Sequence, residues 1–291
     1  MTKIIMDSTA DLPADIIEKC GIDILPLRVN IGGKEYIDKV TITVEKVYEA
    51  MRKGIHPDTS LPNIKTTYEL FEKYASKGID FIFYSFSSKL SSTYETCYLI
   101  MEELKQNYTD VKMKILDTKG GSFASGLIAM QGALLSKVGI SFQEIVDISK
   151  ENIKSIEHIF TIDDLTWLLE GGRIAKTEEM LGKILNIKPI LHVDDGEMIV
   201  IDKIRGRKRA LKTVVDLVEE RIRDFPDQII GITHADDLEA ALKVKDMIFN
   251  RIGNNNIFIE KIGGVLGSHL GIGGVGVFFF NNRPQVYING I

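Results

Sequence analysis

Short apolar runs alternate with helical patterns through the first half of the chain. Residues 3–7 read as a strand, 13–20 as a helix and 24–31 as extended chain, and 44–53 as a helix that stops at Gly54. Beyond a polar loop over 55–63, the pattern predicts helix 65–76, strand 79–85, helix 93–107, strand 112–117 and helix 122–137. Alternation of this kind implies βαβ units and a mainly parallel sheet flanked by helices. Three polar loops, at 7–9, 85–93 and 117–122, fall at the carboxyl ends of those strands, where such sheets bind ligands.

The second half has another rhythm. Strand 158–161 and helix 163–170, closed by Gly171-Gly172, precede two apolar runs at 188–193 and 198–203 around Asp194-Asp195-Gly196. Asp-Gly between apolar runs signals a hairpin. A long helix over 207–225, strand 228–233, helix 238–251, strand 256–262 and terminal runs 275–280 and 285–288 complete an α+β pattern with a mixed sheet. The change of rhythm places a boundary near 152–156, giving an N-terminal α/β domain over 1–154 and a C-terminal α+β domain over 155–291.

At 291 residues and 44% hydrophobic content the chain has length for two such cores. A net charge of −5 supplies no general attraction to polyanions, so no nucleic-acid partner is predicted. Cys20 and Cys97 are the only cysteines, too few for a cysteine-rich zinc site or a disulfide framework, which suits a reducing cytoplasm. The first residues lack an apolar signal region and no run approaches the ~18 apolar residues of a membrane span, so a cytoplasmic location is expected.

Candidate chemistry concentrates in the glycine-dense segment 263–274 around His269. Glycines let backbone approach a ligand closely, and histidine donates or accepts a hydrogen bond near neutral pH, so this turn suits an anionic head group. An ordinary turn between strands with a satisfied histidine is the competing reading. The spacing Gly271-x-Gly273-x-x-Gly276 mimics a dinucleotide fingerprint, but an apolar β-type run follows it where that motif needs a helix. Hydroxyls cluster at Thr59-Ser60 and at Ser87-Ser88 with Ser91-Ser92-Thr93, more of them than helix capping requires. Serine with histidine raises a second possibility, a free-standing α/β enzyme, either a lipid esterase or a small-molecule kinase, using Ser91 and His269. No Gly-x-Ser-x-Gly elbow or Gly-Lys-Ser/Thr phosphate loop accompanies it. The five histidines are scattered singly, so no metal site is predicted. Arg205, Arg207, Lys208 and Arg209 gather cations at a helix start, where the helix dipole disfavours them, and Arg173 follows the Gly171-Gly172 pair. The cationic run points either to an anionic partner, a phosphate or an acidic protein surface, or to a solvated basic patch, and Arg173 is a second cation placed by a helix-ending glycine pair.

Taken together these segments resemble the DegV family of bacterial fatty-acid-binding proteins. The resemblance runs through Asp7-Ser8-Thr9-Ala10-Asp11-Leu12, Thr59-Ser60-Leu61-Pro62, Ser88-x-x-Ser91-Ser92-Thr93-Tyr94 and Asp117-Thr118 with Ser122. It continues through Leu165-x-x-Leu168-x-x-Gly171-Gly172-Arg173-Ile174, Lys188-Pro189-Ile190-Leu191, Arg205-Gly206-Arg207 and Gly267-x-His269-x-Gly271. Ser92 stands at a usual glycine, Ala124 at a frequent one, and Leu270 and Ile272 where Thr and Pro are common. The resemblance implies a DegV-like fold with a lipid tunnel between the domains, and no cofactor beyond a bound long-chain fatty acid. It implies a carboxylate site at Thr59, Ser60, Ser91, Ser92 and His269, with Ser122, Gly126, Gly267 and Gly271 supporting tunnel or loops. Arg173, Arg205 and Arg207, expected outside the tunnel, would meet a partner or phosphate. That partner would be a separate ATP-binding fatty acid kinase subunit, which phosphorylates the carboxylate for phospholipid synthesis, with transient contact to a membrane surface.

Overall fold

The computed structural model describes residues 1–174 and 186–290. In the first half the elements run β1 (Lys3–Asp7), α1 (Ala14–Cys20), β2 (Asp23–Leu25), β3 (Arg28–Ile31), β4 (Lys34–Ile37), α2 (Val44–Arg52) and β5 (Asp58–Ser60). They continue with α3 (Ile64–Ala75), β6 (Phe81–Ser85), α4 (Thr93–Asn107), β7 (Met113–Asp117), α5 (Ser122–Lys137) and α6 (Phe142–Ser155). Strands β2, β1, β6 and β7 form, in that order, an all-parallel sheet. Its two faces follow from side-chain alternation. Ile4, Met6, Ile82 and Tyr84 join one core with residues of α1, α5 and α6, while Ile5, Phe81 and Phe83 join another with residues of α3 and α4. Coverage on both sides explains why β6, Phe-Ile-Phe-Tyr-Ser, is buried throughout.

The expected extended run 24–31 divides at Pro26, which has no N–H to carry a ladder onward. Beyond it the chain enters a three-stranded antiparallel sheet, β4-β3-β5, through a hairpin at Gly32-Gly33, both with positive φ. Strand β5 lies inside the predicted polar loop, because Asp58-Thr59-Ser60 has no apolar alternation to reveal it. Helix α6 was also absent from the pattern, although Ser141 and Glu144 form a complete capping box at its start.

The second half comprises β8 (Ile156–Thr161), α7 (Thr166–Glu170), β9 (Ile187–Asp194), β10 (Glu197–Arg205), α8 (Arg207–Arg221) and β11 (Ile230–His234). It ends with α9 (Leu238–Ile252), β12 (Ile257–Lys261), α10 (Gly264–Leu270) and β13 (Val275–Phe280). Its sheet, β10-β9-β8-β13-β11-β12, is mixed: only β11 and β12 run parallel. The Asp-Gly hairpin is present, with Asp195 and Gly196 both at positive φ. Two readings change. The glycine-dense turn is the helix α10 from Gly264, and 285–288 forms no strand. Instead the Gln131 amide of α5 donates to Ile288 O and accepts from Ile288 N, both at 3.0 Å.

Helix α5 joins the halves. Every residue from Ser122 to Ser136 is buried, and the helix touches β1 and β6 on one side and β8, β11 and β13 on the other. Close approach depends on missing side chains: a Cβ on Gly231 of β11 would stand 2.0 Å from the Phe123 ring. Gly231→Ala is therefore expected to cost about 1–3 kcal/mol through overpacking. Denaturant titration checks this, and an unchanged midpoint would mean that the Phe123 ring can yield.

Candidate functional site

A cavity of about 500 Å³, within the size range of ligand pockets, opens among residues of the mixed sheet, the small antiparallel sheet, α10 and the loop after β6. Alternation on β8 turns His158, Phe160 and Ile162 to the cavity, and the antiparallel register of β13 sets Phe278 opposite His158 and Gly276 opposite Phe160. Val265 and Leu266 of α10 and Phe86 complete much of the apolar wall. The first residues at the start of α5, Gly121 and Ser122, line it too, so the cavity begins where the buried helix does.

The lining also carries polar residues: Thr59 and Ser60 of β5, Ser91 and Ser92 before α4, Arg28, Arg173 and His269, together with Ser122, His158 and Thr233. His269 is set by two close packings of α10. A Cβ on Gly267 would fall 2.6 Å from the Tyr48 hydroxyl oxygen, and one on Gly271, at φ +76°, would fall 2.5 Å from the Trp167 ring. The His269 Nε2 and Thr59 Oγ1 lie 2.8 Å apart. Burial, and secondarily the Arg173 cation, push the imidazole down to about 4, so it is neutral near pH 7. A neutral imidazole and an arginine facing an apolar cavity form a setting that a carboxylate would complement.

The other hydroxyls are partly committed. Ser91 Oγ accepts from Thr93 N at 3.2 Å and sits 2.9 Å from Thr93 Oγ1, whereas Ser92 makes no side-chain cap. Ser122 Oγ donates to Asp11 Oδ2 at 2.7 Å, and Asp11 Oδ1 accepts from Gly263 N at 2.9 Å. Burial raises the Asp11 carboxyl to about 6 against the opposing pull of Lys39. Asp11 thus ties the start of α5 to the start of α10, one end of the His269 helix. Elsewhere Asp7 accepts from Phe86 N at 2.6 Å and from Thr9, and Ser88 Oγ donates to Asp117 at 2.5 Å. These bonds knit the three strand-end loops together.

The model of the family described as "Uncharacterised protein, DegV family" matches residues 1–282. A DegV domain-containing protein of Clostridium perfringens is 39% identical over 285 residues, spanning 97% of this chain and 98% of its own. The chain belongs to the DegV family. Among solved DegV structures, the fatty acid binding protein DegV from Bacillus subtilis superposes with TM-score 0.85 at 27% identity, covering 96% of this chain and 99% of its own. A DegV lipid binding protein from Thermotoga maritima gives 0.84 at 28%, covering 97% and 100%.

The expected site residues of this DegV chain fall at different places around the cavity. Arg173, expected outside the cavity, lines it and donates to Gly171 O. Gly126 is not part of the lining: it sits on α5 under Leu12, whose Cγ would be 2.5 Å from an added Cβ. Arg207 is held by Asp237 at 2.9 Å and Asp163 at 3.5 Å, which offsets its place at a helix start, and Arg205 is exposed at the end of β10. Ser91 and His269 are not bonded to each other; their partners are Thr93 and Thr59, so the geometry lacks the serine–histidine contact of an activated nucleophile. Sequence reading missed Arg28, Thr233 and His158 as lining residues; for His158 the alternation along β8 was the available signal. Among the described residues no cluster of three or more His, Cys, Asp or Glu could hold a metal ion, and no helix is long and apolar enough to cross a membrane.

The titration of His269 provides a check. With no anion bound, the ring is expected to stay neutral down to about pH 5.5, because burial opposes its charged form. A carboxylate beside it favours imidazolium, so adding an aliphatic carboxylate should move its titration upward, and anion binding should tighten as pH falls. Imidazole C–H chemical shifts with and without the acid measure both; no displacement on binding would remove His269 from the anion site.

Proposed function

We propose that this DegV chain binds a long-chain fatty acid, with the acyl tail in the cavity and the carboxylate beside Thr59, Ser91 and His269. The observation that carries the reading is one cavity whose lining is largely apolar and includes the Thr59–His269 pair with Arg173 acting on that histidine. The fatty acid binding DegV protein of Bacillus subtilis, whose fold this chain shares, supports the same ligand class. Transfer of a C16 tail from water is favourable by about 0.8 kcal/mol per methylene, roughly 11 kcal/mol before ordering costs. An unpaired buried carboxylate would cancel several kcal/mol of that, so donors at the head are needed. Ser60 and Ser92 complete the head-group set, and Gly267 and Gly271 keep His269 in place by letting Tyr48 and Trp167 pack close.

The carrier role extends the reading. The acid is held between an N-terminal unit, 1–154, and a C-terminal unit, 155–291, and presented to a separate ATP-binding kinase subunit. There a carboxylate oxygen attacks the γ-phosphorus of ATP, the bond to the ADP oxygen breaks, and an acyl phosphate forms. Arg205, exposed at the end of β10, offers a cation for that partner, with Arg207 beside it paired to Asp237 and Asp163. The product leaves for phospholipid synthesis at a membrane surface.

Native mass spectrometry of the purified chain is expected to show a co-purified acid of about C14–C18 length, long enough for the tail term to dominate. After delipidation, Ser91→Ala and Thr59→Val should each weaken fatty-acid binding by roughly 1–3 kcal/mol in calorimetry, the cost of an unpaired buried acceptor. Parent-like binding by both variants would move the head group elsewhere. Arg205→Ala should leave that affinity intact while slowing kinase-coupled acyl-phosphate formation in a salt-dependent way, as rim charges do. Unchanged turnover at low and high salt would end the docking role of Arg205.

A further inference from the structure

Three strands of the mixed sheet contribute to the cavity wall in rows. Gly276 of β13 stands opposite Phe160 of β8 and Thr233 of β11, and all three line the cavity. Phe278 stands one step further along, opposite His158 and Gly231, and Phe278 and His158 still line it. The next row, Phe280 opposite Ile156, does not; both belong to the buried core shared with α5 and α6. The flanks of the Phe278 row are closed as well. His158 lies over Gly120, where an added Cβ would be 2.0 Å from Nε2, and the Phe123 ring fills the place of a side chain on Gly231. Phe278 therefore stands at the last row of the sheet that the cavity reaches.

The other end of these strands is the His269 end. Strand β8 leads into α7, followed by Gly171, which abuts the His269 ring, and Gly274 packs on Ile162 just after the helix that carries His269. Phe278 is four residues beyond Gly274, about 13 Å along an extended strand. On this central strand the cavity-facing positions are Gly274, Gly276 and then Phe278, two places without a side chain followed by an aromatic ring. The ring lies back along its own strand: a Cβ on Gly276 would be 2.9 Å from Phe278 Cζ and 3.1 Å from Cε2. It thus covers Gly276, and the His158 ring meets it edge-on at 5.8 Å between centroids. Any side chain at 276 would compete with the ring for that space.

We propose that Phe278 is a specificity-determining residue whose ring, laid over Gly276, is the end-stop that sets the longest acyl chain the cavity accepts. The proposal rests on the fatty-acid reading above. A tail whose head group meets His269 runs along the strand toward Phe278, and each methylene buried on the way strengthens binding about fourfold. A carbon beyond the ring finds no such gain. The wall behind it is close-packed core, which does not yield to one more methylene without strain.

The test offers the delipidated full-length chain an equimolar series of saturated straight-chain acids from lauric to behenic, in excess, and reads the bound distribution by native mass spectrometry. For the parent, occupancy is expected to rise with length to a limit and to fall beyond it. Phe278→Ala should move that limit upward by about two carbons or more, into the room the ring leaves. Phe278→Leu should move it in the same direction by less, and serves the comparison if the alanine variant fails to fold. Phe280→Leu, one row further into the core, loosens the packing without opening the cavity and should leave the limit where it is in the parent. If the limit is unchanged in the Phe278 variants, or if Phe280→Leu moves it as far as Phe278→Leu does, the end-stop is overturned while fatty-acid binding stands. If the parent retains none of the acids, the fatty-acid reading fails and this proposal with it.

Discussion

Helix α5 has no solvent face between Ser122 and Ser136, because it lies between the parallel sheet of the first half and the mixed sheet of the second. That burial dictates its composition. Large side chains such as Phe123, Leu127 and Met130 fill the space, while Gly126 and Gly132 admit Leu12 and Tyr84 from neighbouring elements. Gly231 of β11 in turn admits Phe123. The two sheets thereby pack on two sides of one helix, and the residues at its start, Gly121 and Ser122, line the cavity. Packing in that layer and the shape of the cavity cannot be changed independently.

Buried hydrogen bonds then fix the polar groups around the cavity. Asp11 accepts from Ser122 at the start of α5 and from Gly263 before α10, so a buried carboxyl links the helix that bounds the cavity to the helix that carries His269. Around His269, burial and Arg173 keep the imidazole neutral, and Thr59 reaches it from a separate small sheet. His158, on the strand face some residues away, is neutral for the same reason of burial but has no partner. One cavity thus holds two neutral histidines in different settings: one beside a cation and a hydroxyl, the other among aromatic and backbone groups.

Hydrophobic period alone carried much of the order of elements. β1, α4, α5 and the β9–β10 hairpin stand close to where apolar spacing and Asp-Gly put them, because each is governed by local periodicity and turn chemistry. Strand β5 was hidden because a three-residue polar strand is created by its pairing with β3, not by its own residues. The segment 263–274 read as a turn because its glycines suggest loop; α10 forms there since those glycines are what let Val47, Tyr48 and Trp167 approach.

For the candidate site, sequence by itself singled out Thr59, Ser91 and His269, since hydroxyls at strand ends and a histidine among glycines are unusual enough to stand out, and the family resemblance added Ser122. It also tied them to one family through the order of short motifs. Only the tertiary structure decided that His269 meets Thr59 and not Ser91, that Arg173 faces the cavity, and that Gly126 belongs to the packing under Leu12. Contacts of that kind join residues up to 210 positions apart, as with Thr59 and His269. Local pattern specifies elements; which side chains then share a cavity depends on how two sheets close over a single buried helix.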